Sequence, residues 1–74
     1  MVNIRHLRAF LALVELRHFT RAAEQVCISQ SAFSSLIQQL ETDCRVTLFD
    51  RSTRSVEPTA IGLEFYDVVK SFLN

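Results

Sequence analysis

At 74 residues, with a hydrophobic content of 49%, the chain has room for one core and not for two. One glycine and one proline are too few turn-formers for a many-stranded β architecture, which points to helices. The formal charge is zero, eight Lys and Arg against eight Asp and Glu, so no basic excess marks a nucleic-acid binder and any such role rests on arrangement. The longest apolar stretch, Phe10 to Val14, falls far short of the roughly 20 residues of a membrane span. No small-residue cleavage site follows Arg5 and Arg8, and a cytoplasmic protein is expected. Cys27 and Cys44 lack metal-type spacing, and His6 and His18 stand apart from them and from each other. Structural cysteines, no metal, no cofactor and no enzyme activity are therefore expected.

From Asn3 to about Arg17, the residues Ile4, Leu7, Phe10, Leu11 and Val14 recur at helical spacing, with Asn3 as a plausible N-cap. Thr20 to Val26 reads as a short second helix with Thr20 as its candidate cap; Ala22 and Ala23 allow close helix approach. Cys27–Ile28–Ser29 breaks the pattern, and Ser29 is suited to cap a third helix. Two helices joined by so short a turn have helix-turn-helix spacing. The third helix spans about Gln30 to Thr42, with Phe33, Leu36, Ile37 and Leu40 on one apolar face. The opposite face carries Ser31, Ser35, Gln38 and Thr42, flanked by Ser34 and Gln39. Solvated helix faces more usually carry Glu and Lys. Short hydroxyls and amides instead suit base edges and phosphate oxygens.

Val46 to Phe49 has strand character, and Val56 begins a second short β stretch. Asp50 to Ser55, with Arg51 and Arg54, forms the tip of a two-stranded wing. Arg51 is expected to pair with Asp50 or Glu57, or to cap a carbonyl; Arg54 is a candidate DNA contact. Pro58–Thr59 marks a boundary, and Thr59 is the expected cap of a fourth helix. There Ile61, Phe65, Val68 or Val69, and Phe72 form an apolar stripe that Leu63, Tyr66 and Leu73 widen.

The segment Phe19–Thr20–Arg21–Ala22–Ala23–Glu24, with Ile28–Ser29–Gln30–Ser31–Ala32–Phe33–Ser34 after it, resembles the signature of LysR-type transcriptional regulators. Leu40–Glu41, Val46–Thr47–Leu48–Phe49–Asp50–Arg51, and Val56, Thr59 and Gly62 resemble the later blocks of that family. The resemblance spans nearly the whole chain. It implies a mainly α winged helix-turn-helix: a three-helix core, a two-stranded β wing and a C-terminal linker helix for dimerisation. The DNA-binding domain is expected over residues 1–58, with the helix-turn-helix at about 19–42 and the wing at about 46–58. Residues 59–74 then start the linker helix. An effector-binding domain, where a small molecule would act, is expected outside this stretch.

Carried onto this sequence, the resemblance places Gln30, Ser34 and Ser35 at recognition-helix positions and Arg54 at the wing tip, near the minor groove. Specificity is expected from Gln30, Ser31, Ser34, Ser35 and Gln38. Thr20 and Ser29 orient helix N-termini toward phosphate, and Arg54 adds sequence-tolerant affinity. Ile61, Leu63, Phe65, Tyr66, Val69, Phe72 and Leu73 are the expected dimerisation residues. The partners are then double-stranded DNA and a second copy, as homodimer or tetramer. Three positions depart from the family pattern: Ser31 replaces the usual Pro, Ser35 stands where Arg is frequent, and Arg45 where Gly is normal. The rival reading is a helix-turn-helix fold that serves as a dimerisation or protein-interaction module.

Overall fold

The structure is a computed structural model that describes residues 2–51 and 55–73. Helix α1 spans Ile4–Leu16 and begins in a reciprocal cap: the Asn3 side chain accepts from the Arg5 N–H, and the His6 ring accepts from the Asn3 N–H. Helix α2 spans Phe19–Gln25 and α3 spans Gln30–Cys44. Two antiparallel strands come next, β1 (Phe49–Asp50) and β2 (Glu57–Pro58), with Phe49 opposite Pro58 and Asp50 opposite Glu57. Helix α4 spans Ala60–Leu73.

Phe10, Leu13, Phe33, Ile37, Leu40 and Leu48 are the largest fully buried side chains, so the core lies where α1, α3 and the approach to the wing meet. Phe10 is its hub. Its ring centroid lies 5.5 Å from that of Phe49 and 5.0 Å from that of Phe65, in the tilted geometry aromatic quadrupoles favour. The wing and α4 are thereby joined to the same side chain of α1. Phe19 meets Phe33 edge-on at 5.9 Å and seats α2 on α3.

The cap of α2 differs from the sequence expectation. His18, in extended conformation, accepts from the Arg21 N–H, and the helix starts one residue before Thr20. Thr20 is thus inside the first turn, and its hydroxyl donates to Gln30 Oε1 at 2.9 Å instead. His18 therefore has a structural role.

Helices α2 and α3 both end in a Schellman arrangement. At the first, Cys27 N–H donates to Glu24 O and Ile28 N–H to Ala23 O; at the second, Arg45 N–H donates to Thr42 O and Val46 N–H to Glu41 O. Each needs a left-handed residue, and Cys27 (φ 62°) and Arg45 (φ 58°) supply it without being glycine, as does Arg17 (φ 54°) after α1. The turn at Arg45 thus keeps the geometry that glycine favours.

The strands are shorter and later than the sequence suggests, at 49–50 and 57–58 in place of Val46–Phe49 and Val56 onward. Val46 is held in the helix C-cap. Leu48 and Phe49 donate their N–H groups to the Glu41 carboxylate, at 2.8 and 3.2 Å. The Thr47 and Leu48 carbonyls accept from the Thr59 hydroxyl and N–H. The ladder is confined to Phe49–Asp50 and Glu57–Pro58, next to these engaged groups. Thr59 also accepts from the Gly62 N–H at 3.0 Å, and so serves as the expected cap of α4.

Candidate nucleic-acid interface

Helix α3 is built with two opposed faces. Phe33, Ile37 and Leu40 are buried, while Ser31, Ser35, Gln38 and Thr42 are exposed on the other side. Ser29 begins the helix, its hydroxyl accepting from the Ala32 N–H at 3.2 Å and lying 3.4 Å from that of Ser31. Gln30 is exposed at the start of the face and tied to Thr20, so α2 and the first turn of α3 are linked through side chains as well as through the core. Ser34 is half-buried at the flank. Gln30, Ser31, Ser34, Ser35 and Gln38 thus lie on α3 itself, with Ser29 as its cap and Thr20 tied to its first turn. Arg54 lies outside the described residues.

Beside this face, Glu41 joins helix to wing. One carboxylate oxygen takes the two wing N–H groups, and the other accepts from Arg51 at 3.0 Å. The Arg51 guanidinium also lies over the Phe19 ring, 5.3 Å from its centroid. Arg51 thus pairs with Glu41, where the sequence suggests Asp50, Glu57 or a carbonyl, and Glu57 instead pairs with Arg17 at 2.8 Å. An open hollow between α3 and the wing has Gln38, Thr42, Arg45 and Arg51 among its lining residues.

Two groups outside the sequence-derived set also bear on this surface. His6, which the sequence presents as isolated, is almost fully buried. Its Nε2 lies 2.8 Å from Gln39 Oε1, so the N-terminus of α1 holds a side chain at the flank of the α3 face. The available signal was Asn3 with, three residues later, a side chain able to complete a reciprocal cap. Glu41 left a weaker trace, as part of Leu40–Glu41; its partners lie up to ten residues away and become visible only on folding.

On α4 the expected dimerisation residues divide. Val69 is buried in the core, Phe65 packs on Phe10, and Tyr66 and Leu73 are half-buried against the core. The Tyr66 hydroxyl donates to Glu15 Oε2 at 2.8 Å. Ile61, Leu63 and Phe72 are exposed, and so is Val68, which takes the outward position while Val69 turns in. No group of His, Cys, Asp and Glu among the described residues is arranged to hold a metal ion. No helix among them is long and apolar enough to cross a membrane.

A family model described as "Bacterial regulatory helix-turn-helix protein, lysR family" matches residues 4–63. The chain belongs to the LysR family. It carries that family's winged helix-turn-helix DNA-binding domain. The transcriptional regulator BenM of Acinetobacter baylyi is 40% identical over 73 residues, 99% of this chain and 24% of BenM. BudR of Klebsiella aerogenes is 46% identical over 66 residues, 89% of this chain and 46% of BudR. The LysR-type chain thus spans a quarter to a half of the length of these relatives. Among solved structures, the BenM DNA-binding domain in complex with benA site 1 DNA superposes with a TM-score of 0.93 at 40% identity, covering 97% of this chain and 81% of that one. The CbnR DNA-binding domain in its DNA complex gives 0.91 at 33% identity, covering 97% and 83%.

Proposed function

We propose that this LysR-type domain is the sequence-reading part of a longer bacterial transcriptional regulator, in which residues 1–58 bind double-stranded DNA and residues 59–74 begin a dimerisation helix. Two copies pair through α4, and each lays α3 in a major groove with its wing at the adjacent minor groove. The observation that carries this reading is the exposed Ser/Gln face of α3, opposite a face committed to the core. It offers donors and acceptors to base edges without the fixed charge that would bind any sequence equally. The DNA complexes of the BenM and CbnR domains support it.

In this assignment Gln30, Ser31, Ser34, Ser35 and Gln38 discriminate between bases, Ser29 orients the start of α3 toward phosphate, Thr20 steadies Gln30 through its hydroxyl, and Arg54 adds affinity to all sequences. A small-molecule effector would act on a domain outside residues 1–74. The regulator works in the cytoplasm and performs no catalysis. Selection of the protein on a pool of random duplexes at fixed moderate salt is expected to enrich a palindromic pair of half-sites. Folded protein that enriches no motif would overturn the assignment and favour an interaction module.

A further inference from the structure

The chemistry of Gln39 is set from a distance by the cap of α1. The Asn3 N–H points at His6 Nδ1, 3.2 Å away, so the neutral ring accepts there and carries its proton on Nε2. That N–H then donates to Gln39 Oε1 at 2.8 Å. A ring protonated on both nitrogens donates to the same oxygen, with Nδ1 now facing Asn3 Oδ1 at 3.1 Å. The remaining tautomer would give Asn3 Oδ1 a donor, but it would set the Asn3 N–H against an Nδ1–H and leave Nε2 and the Gln39 oxygen as two acceptors face to face. His6 is 5% exposed, so its ring is held where it is by packing. In both workable states the Gln39 amide has its oxygen occupied and its NH2 left to donate, on an exposed side chain beside Ser35 and Gln38.

A glutamine reads adenine by using oxygen and nitrogen together. With its oxygen turned toward His6, Gln39 presents its NH2 outward first. It stands in the third turn of α3, on the α1 side of the Ser/Gln face, whereas recognition helices meet base edges mainly through their N-terminal residues. A donor at that flank suits the sugar–phosphate backbone better than base edges. Asp43, one turn further on, is engaged within the protein. We propose that Gln39 donates a hydrogen bond to a DNA backbone phosphate and that His6 is the positioning residue that turns its amide outward. This rests on the DNA-reading role proposed above.

The test uses the whole chain, with the duplex recovered by selection and a random-sequence duplex as probes, and thermal melting to confirm folding. Gln39→Ala is expected to weaken both duplexes by the same factor, about fivefold, the size of one net hydrogen bond. Gln39→Glu keeps an oxygen for His6 but replaces the donor with an anion, and should lose more. Substituting a methylphosphonate at one phosphate of the selected duplex should erase the difference between wild type and Gln39→Ala. His6→Ala should weaken binding in the wild-type background and have no further effect on affinity in the Gln39→Ala background, whatever it does to the melting temperature. Wild-type affinity in both Gln39 variants, or a changed base preference in place of a uniform loss, overturns the phosphate contact. An equal loss from His6→Ala in both backgrounds overturns its positioning role. Failure of the wild-type chain itself to bind either duplex would instead refute the DNA-reading function, so the two failures are separable.

Discussion

Arg17, Cys27 and Arg45 carry the left-handed conformations at the ends of α1, α2 and α3 in a chain with a single glycine. A side chain there brings Cβ against the following carbonyl, at a cost of about 1–2 kcal/mol. Arg45→Gly removes that strain and returns part of the gain as freedom of the unfolded chain. The expected net is a stabilisation of about 0.5–1 kcal/mol, read from the midpoint of urea unfolding. Gly62 serves a different need, since its φ is not positive. A Cβ at that position would be driven into the Leu48 carbonyl and crowd the Thr59 hydroxyl, both part of the junction between wing and α4. The backbone on one side and a twice-bonded threonine on the other have little room to yield. Gly62→Ala should therefore destabilise the domain by about 1–3 kcal/mol, the range for overpacking, as seen in the same unfolding measurement.

Between elements, single carboxylates do much of the joining. Glu41 satisfies two wing N–H groups and pairs with Arg51, and its side chain is 17% exposed. Truncation leaves two backbone donors without their acceptor, so Glu41→Ala should cost about 2–3 kcal/mol, with the largest loss of amide protection at Leu48 and Phe49 in hydrogen exchange. Glu15 ties α1 to α4 at the surface. Its carboxyl is held below its ordinary pKa, first by the hydrogen bond from Tyr66 and then by that from Lys70. Lys70 is correspondingly raised, first by its hydrogen bond to Glu15. A depressed carboxyl contributes stability that is complete above its ordinary value of 4.5 and lost as pH falls through its lower folded value. The lysine's share is complete below 10.5 and lost as pH rises beyond its raised folded value. The carboxylate is 38% exposed, so solvent screens the pair and its contribution is small. The stability difference between wild type and Glu15→Gln should be constant near neutrality and shrink below pH 4.5.

For the molecule as a whole, the neutral net charge is reconciled with the proposed role by where the charges are spent. Arg17, Arg51 and Lys70 are paired with Glu57, Glu41 and Glu15 and serve to hold elements together. The α3 face is left with neutral hydrogen-bonding groups. Neutral contacts to phosphate release fewer counterions than lysine or arginine. On α4, Ile61, Val68 and Phe72 recur at i, i+7 and i+11, a stripe beside the one that Gly62 and Val69 turn into the core. Leu63 stands off that stripe. If this stripe pairs two copies, Val68→Glu should weaken self-association at least tenfold in sedimentation while leaving the melting of the monomer nearly unchanged, because Val68 is 65% exposed. The same charge at Val69, buried in the core, should unfold the domain instead.

Local rules were enough to read four helices in order, the caps at Asn3, Ser29 and Thr59, and the polar face of α3. Each depends on residues within a turn or two of one another, and a 3.6-residue period exposes which side is apolar. The sequence also held the family motifs, and with them the winged helix-turn-helix. Tertiary structure decided what depends on distant partners. It chose His18 over Thr20 as a cap, confined the strands to Phe49–Asp50 and Glu57–Pro58 beyond the Thr47 and Leu48 groups that Glu41 and Thr59 engage, and paired Arg51 with Glu41. It turned Val69 inward and Val68 outward, a choice between neighbours on a stripe too broad for periodicity to resolve. It also coupled His6 to Gln39 across 33 positions. A hydrogen bond at that separation exists only once α1 and α3 have packed, which is why two ordinary polar residues in the sequence form one unit in the fold.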